Sequence, residues 1–378
     1  MKKISVMVLI GAVTAGLVLQ RALAQTAAHP GPAAPHPETV VAPLQGTLDE
    51  ITVHGASLEG NLLGDSPDRH VMVYLPPSYA SHPERRYPVV YLLHGFTDTD
   101  TRWFKGEKSW NLGQIEEKDV ADGTAKEMIL VLPNALTKMH GAFYSTSATT
   151  GDWEGFITRD LISYIDAHYR TLARPESRGL AGHSMGGYGT LRIGLKHPEI
   201  YSSIYALSPC CLAWLGDFHP GEAPKAAAAV EAVHSFADLD KADFGTLVVY
   251  ALAAAWSPDV QKPPFYLDLP VAGTTPQPEI LAKWSANMPI NYLDQVIPRV
   301  RQLHAIAFDA GIHDEFQSIP ISLVALDKDL NRYGIAHTYE SYEGTHGNKI
   351  PERMERKVFP FFSKNLSFDQ TATQQASR

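Results

Sequence analysis

Past residue 47 the apolar residues first fall at alternate positions. LDEITVHGASL (48–58) and DRHVMVYLPPSY (68–79) alternate apolar and polar side chains, which predicts a pair of hairpin strands, the second stopped by Pro76-Pro77. YPVVYLLHGF (87–96) and EMILVLPNA (127–135) are apolar at successive positions, as strands covered on both faces are. FITRDLISYIDAHYRT (156–171) changes period and places Phe156, Leu161, Ile162, Ile165 and Tyr169 near one helical face. RGLAGHSMGGYGTLRIGLKHP (178–198) then predicts a short strand, a glycine-rich turn and a helix closed by His197-Pro198. YSSIYALSP (201–209) and VRQLHAIAFDAG (300–311) read as two more buried strands, and SLVALDKDLNRYGI (322–335) as a helix with a glycine stop. Strands alternating with helices predict an α/β fold, a mostly parallel doubly wound sheet with helices on both faces.

Two regions depart from that rhythm. Between about 212 and 291 no strand–helix alternation is visible; KAAAAVEAVHSF and GTLVVYALAAAWS read as helices separated by turns such as QKPPF. This is expected to be a helical insertion, a cap above the carboxyl edge of the sheet. The amino-terminal MKKISVMVLIGAVTAGLVLQRALAQ has Lys2 and Lys3, an apolar run, and a small-x-small ending at Ala22-Leu23-Ala24. That is the pattern of a signal peptide cleaved near Ala24, so the protein is expected to be exported, periplasmic or extracellular, with no membrane span in the mature chain. A Pro/Ala-rich linker is expected over 25–46, the folded domain over 47–366, and a disordered tail over 367–378.

Composition narrows the partners. Without residues 1–24 the chain keeps 29 basic against 41 acidic residues, a net charge of −12, which argues against nucleic acid or an anionic lipid surface. The two cysteines, Cys210 and Cys211, are adjacent and poorly placed for a disulfide, so a hydrophobic core must supply the stability. His29 and His36 have no carboxylate or cysteine cluster beside them, and no H-E-x-x-H, C-x-x-C or P-loop pattern occurs, so no metal or organic cofactor is expected.

The candidate chemistry centres on Gly182-His183-Ser184-Met185-Gly186, a G-x-S-x-G match at a predicted strand–turn–helix junction. Such a turn is so sharp that side chains at the flanking glycines would collide with the neighbouring strand and helix. The serine hydroxyl projects beyond the sheet, and the amide of Met185 points to where an oxyanion would form. His183 reads as packing inside the turn. A serine nucleophile needs a base and a group to orient it, in the chain order Ser, acid, His. AFDAGIHDEF (307–316) offers Asp314 as the acid, with Asp309 as the second choice, and TYESYEGTHGNKI (338–350) offers His346 as the base. LLHGFTD supplies a second oxyanion donor, the amide of Phe96. Trp103, Phe104, Trp153, Trp214 and Trp256 are candidate aromatics for a substrate pocket, Trp103, Trp153 and Trp214 foremost, or else pin long loops to the body.

Together VMVYLPPSY, RYPVVYLLHGFTD, FITRDLISYIDAHYRT, RGLAGHSMGGYGTLRIGLKHPEIYSSIYALSP, DAGIHDEF and YEGTHG resemble the esterase D-like family of α/β-hydrolases. Its members include feruloyl and acetyl-xylan esterases, S-formylglutathione hydrolases, siderophore esterases and mycolyltransferases. The resemblance implies an α/β-hydrolase fold and a serine carboxylesterase. Ser184 would be its nucleophile, Asp314 its acid and His346 its base, with Phe96 and Met185 at the oxyanion hole. The expected substrate is a small-molecule or carbohydrate-linked ester, with feruloyl and acetyl groups as candidate acyl parts. Acyl transfer of the mycolyltransferase type and a catalytically silent carbohydrate-binding module on the same fold stay open. The long insertion departs from the compact members and leaves substrate choice undecided.

Overall fold

In a computed structural model, residues 43–106 and 109–370 are described. The expected signal peptide, most of the expected linker and the last residues of the expected tail lie outside them. The apolar runs assemble an eight-stranded sheet: β1 (Thr47–His54), β2 (Asp68–Leu75), β3 (Val89–Leu93), β4 (Ile129–Pro133), β5 (Arg178–His183), β6 (Ser203–Leu207), β7 (Ala305–Gly311) and β8 (Thr338–Tyr342). Their spatial order is β1-β2-β4-β3-β5-β6-β7-β8. β1 and β2 form the antiparallel pair that their alternation predicts, β2 runs antiparallel to β4, and every later pairing is parallel.

Strand β3 shows why its run is apolar throughout. Val89, Tyr91 and Leu93 belong to the core on one face, and Val90 and Leu92 to the core on the other. The second core is closed by α1 (Leu112–Ala121) and by the carboxyl-terminal helix Phe359–Asn365, through Leu112, Phe359 and Phe362. The first is closed by the helix Leu161–His168, by α2 (Met185–Lys196) and by the insertion.

Within the insertion lie the helix Ala223–Glu231, α3 (Phe244–Trp256) and α4 (Pro278–Asn287), and α5 (Pro289–Val300) starts at its end. α3 buries the run Tyr250 to Trp256, so it is a core helix. α5 buries Leu293, Ile297 and Val300 and packs on α2, which makes it part of the helical layer of the sheet. At the base of the segment the amide of Ile290 donates to the carbonyl of Leu212 at 3.1 Å.

Of the expected disordered tail, residues 367–370 are described, and these are tied to the body. The Ser367 amide donates to the Glu176 carbonyl (2.8 Å), Ser177 Oγ to the Ser367 carbonyl (2.7 Å), and the Arg86 amide to Gln370 Oε1 (3.0 Å). Polar residues there are ordered by tertiary hydrogen bonds, which a composition argument does not see. Among the described residues no helix is long and apolar enough to cross a membrane.

Candidate active site

Three segments leaving the carboxyl ends of β5, β7 and β8 converge. Ser184 follows β5 directly and has φ 57° and ψ −115°, a conformation that a non-glycine residue adopts only under constraint. The constraint is the close approach of the turn to β3 and β6. A Cβ at Gly186 would run into the carbonyl oxygen of Leu93, and one at Gly187 would lie 2.8 Å from that of Leu207. Ser184 is also tied by its own amide, which donates to the Leu207 carbonyl at 3.0 Å. Its side chain remains partly exposed to solvent.

His346 lies in the loop after β8. Its Nε2 is 2.9 Å from Ser184 Oγ, and its Nδ1 is 2.8 Å from Asp314 Oδ2. A carboxylate only accepts, so Nδ1 carries the proton and Nε2 is left bare to take one from the serine hydroxyl. Asp314 is fully buried in the turn after β7, and its Oδ1 accepts the Phe316 amide at 2.9 Å. Asp309, the second choice for the acid, is held elsewhere. Its Oδ2 accepts from Tyr205 Oη (2.7 Å) and from Arg353 Nε and Nη2 (2.9 and 2.6 Å), and burial pushes its carboxyl up to about 6. It is a buried brace between β6, β7 and the helix carrying Arg353.

The amide of Met185 opens α2, where no intrahelical acceptor exists. The amide of Phe96 stands in the loop after β3, and among the described residues no backbone carbonyl accepts from it. That loop is fixed by two residues that the sequence reading did not single out. His94 accepts the Ala135 amide at Nε2 (2.7 Å), so its Nδ1–H donates to the Gly95 carbonyl (2.8 Å); Tyr144 Oη donates to the His94 carbonyl (3.0 Å). The Thr97 amide in turn donates to the His140 carbonyl (3.0 Å). Thr97, His140, Phe143 and Tyr144 all have positive φ, so backbone strain gathers around this loop as well as at Ser184.

Two of the foremost aromatic candidates for a pocket, Trp103 and Trp153, need correction. Trp103 and Trp153 are buried and internally satisfied: Trp103 Nε1 donates to Asp98 Oδ2 (3.1 Å) and Trp153 Nε1 to the Thr150 carbonyl (3.0 Å). Rings closed in this way offer no face to a substrate. Trp214 is half-buried and stacks on Phe218 (centroids 4.9 Å apart) and Trp284 (6.2 Å), within the insertion. Trp256 packs against Phe143 and Tyr188 in the core, and Phe104 is buried. The rings that border the serine and histidine are different ones. Phe316 lies edge-on to His346 at 4.9 Å, and Phe244, the first residue of α3, touches both Phe316 and Phe96 at 5.7 Å. Phe316 stands two residues past Asp314 and could have been found from that spacing; nothing in the local sequence marks Phe244.

His183 and Glu315 also touch His346. His183 Nε2 is 2.8 Å from the His346 carbonyl oxygen, and the His346 amide donates to Glu315 Oε2 at 3.0 Å. Cys210 and Cys211 are free thiols in the loop after β6. A surface depression lined by Pro175, Ser202 and His304 lies at the amino edge of β5, β6 and β7, opposite Ser184, and holds none of these groups. Among the described residues no group of three or more His, Cys, Asp or Glu is placed to hold a metal ion.

A family model described as "Putative esterase" matches residues 66–350. The chain is 35% identical over 132 residues to an endo-1,4-beta-xylanase/feruloyl esterase of Xylanibacter ruminicola, an alignment covering 34% of this chain and 18% of that protein. It is 34% identical over 138 residues to an esterase of Mycobacterium tuberculosis, covering 35% of this chain and 27% of that one. The matches therefore span well under a third of these relatives' length. Among solved structures, a ferulic acid esterase superposes with a TM-score of 0.60 at 20% identity, covering 85% of this chain and all of that one. An S-formylglutathione hydrolase from Agrobacterium tumefaciens gives 0.55 at 17% identity, with 86% and 97% covered. At such identities these likenesses establish the α/β-hydrolase fold.

Proposed function

The chain belongs to the putative esterase family, and from that membership we propose that it is a serine carboxylesterase acting through Ser184, Asp314 and His346. The observation that carries the reading is the pair of contacts at His346, 2.9 Å to Ser184 Oγ and 2.8 Å to Asp314 Oδ2. Nε2 of His346 takes the hydroxyl proton as Ser184 attacks the ester carbonyl, and Asp314 holds the tautomer and offsets the imidazolium charge. The amides of Phe96 and Met185 receive the oxyanion, a contribution of about 3 kcal/mol for each donor. His346 returns the proton to the departing alcohol, and the same histidine then activates the water that releases the acid.

The substrates proposed are feruloyl and acetyl esters of carbohydrates. A relative named as a xylanase and feruloyl esterase supports this class, as do the linked rings of Phe96, Phe244 and Phe316, the last of them edge-on to His346. Export through the amino-terminal segment is part of the proposal and places the protein where such polymers occur.

Assaying the wild type and Ser184→Ala on p-nitrophenyl acetate, p-nitrophenyl butyrate and methyl ferulate tests it. The wild type should release acid, and Ser184→Ala should lose at least about a thousandfold in kcat. Equal rates in the two, or none in either, would overturn the reading. Product bearing an added acceptor alcohol in place of free acid would make it an acyltransferase.

A further inference from the structure

We propose that His183 is a positioning residue, holding the base His346 against Ser184 by donating to its backbone carbonyl. This rests on the esterase reading above. His183 ends β5 and precedes the nucleophile, so one residue step separates the serine from the group that fastens its base.

Residue 346 is gripped on three sides. Its imidazole is held by Asp314, its amide by Glu315 and its carbonyl by His183. The Glu315 contact is exposed to water, whereas His183 is buried, so the His183 bond is the one water does not readily replace. A carbonyl can only accept, so His183 carries its proton on Nε2 and is the donor.

The imidazole also has to remain neutral. The rings of His183 and His346 are 4.7 Å apart, and a charged His183 would oppose the imidazolium that His346 becomes during each acyl transfer. Burial first, and the neighbouring His346 second, hold His183 down to about 3. Trp110, edge-on at 6.2 Å, closes another side of the ring. An apolar side chain would fill this space, but it would leave the His346 carbonyl without this donor and the loop free to drift. A displacement of about 1 Å at a catalytic group is enough to lower turnover a hundredfold.

The test compares the full-length wild type with His183→Leu, His183→Gln and His183→Asn on p-nitrophenyl butyrate, with thermal melting of each. Gln carries an amide N–H to about the depth of Nε2; Asn stops short of it, and Leu has no donor. His183→Leu and His183→Asn should lose about a hundredfold in kcat with KM nearly unchanged, while His183→Gln recovers about tenfold or more of that loss. Retained kcat in a folded His183→Leu would overturn the proposal, as would equal losses in Gln and Asn. Should Leu fail to fold, the Gln–Asn pair decides. Turnover by the wild type and its loss in Ser184→Ala report on the esterase reading separately. If the wild type is inert, a crystal structure of His183→Asn decides instead: an imidazole of residue 346 still within hydrogen-bond distance of Ser184 would overturn the proposal, and a displaced one would support it.

Discussion

Asp314 Oδ2 meets His346 Nδ1 at 2.8 Å, whereas Asp309, five residues earlier, turns to Arg353 on the far side of the same strand end. The two carboxylates should therefore respond differently to the same substitution. Asp314→Asn should keep the fold and lose about 10⁴ in kcat, because an amide no longer enforces the reactive tautomer. Asp309→Asn should keep kcat and lose stability on the order of 2 kcal/mol, since it takes from Arg353 the buried one of its two carboxylate partners and leaves the more exposed Glu340. Steady-state kinetics and denaturant melts on both variants check this.

The elbow glycines should be intolerant for a reason unrelated to chemistry. Gly186→Ala sets a methyl against the Leu93 carbonyl, which belongs to the central strand and has nowhere to go. The expected loss is about 3 kcal/mol or more, read by urea unfolding. Gly347→Ala, beside the proposed base but with open space around its Cβ position, should melt like the wild type.

Stability should fall between about pH 4.5 and pH 8 through a buried acid on α1. Glu116 accepts from the Met128 amide and from Tyr74 Oη, and burial, its largest influence, raises its carboxyl to about 8. The folded state thus binds a proton that the unfolded chain gives up at ordinary carboxylate pH. The stabilising contribution is complete below about 4.5 and is lost as pH rises through about 8. Glu116→Gln, which carries no ionisable proton, should flatten the decline between about pH 4.5 and pH 8 in melts run across that range.

Phe244 should govern acyl size. Its ring bridges Phe96 on the oxyanion side and Phe316 on the base side, and Asp243 fixes it by accepting the Thr246 amide at 3.0 Å to cap α3. Removing the ring opens space there, so Phe244→Ala should raise kcat/KM for bulky acyl esters relative to acetyl by about tenfold. A series of p-nitrophenyl esters from acetate to octanoate measures that ratio.

Much of the scaffold was legible because each strand announces its own environment. Val90 and Leu92 must be apolar for one core and Tyr91 and Leu93 for the other, and a short unbroken run of such residues between turn signals suits a strand covered on both faces. The serine turn was legible for a similar reason, since its glycines answer to clashes with residues in adjacent elements. Asp314 and Asp309 could not be separated by pattern, because what distinguishes them is Arg353, far along the chain. His183 read as packing for the same reason: its partner is 163 residues away. Trp103 and Trp153 misled because an aromatic in a long loop looks alike whether it faces substrate or pins the loop, as these two do. α4 and α5 were not read as helices, each beginning at a proline and α5 carrying Pro298 inside.

The hydrogen bond between Ile290 and Leu212 means that the inserted segment leaves and rejoins the body at nearly a single place. A detour whose two feet stand together can grow, shrink or be exchanged without pulling the strands beneath it apart. The segment is therefore a natural cassette: transplanting it between scaffolds, together with the core positions that α3 fills, should carry ligand preference with it and leave Ser184, Asp314 and His346 in place.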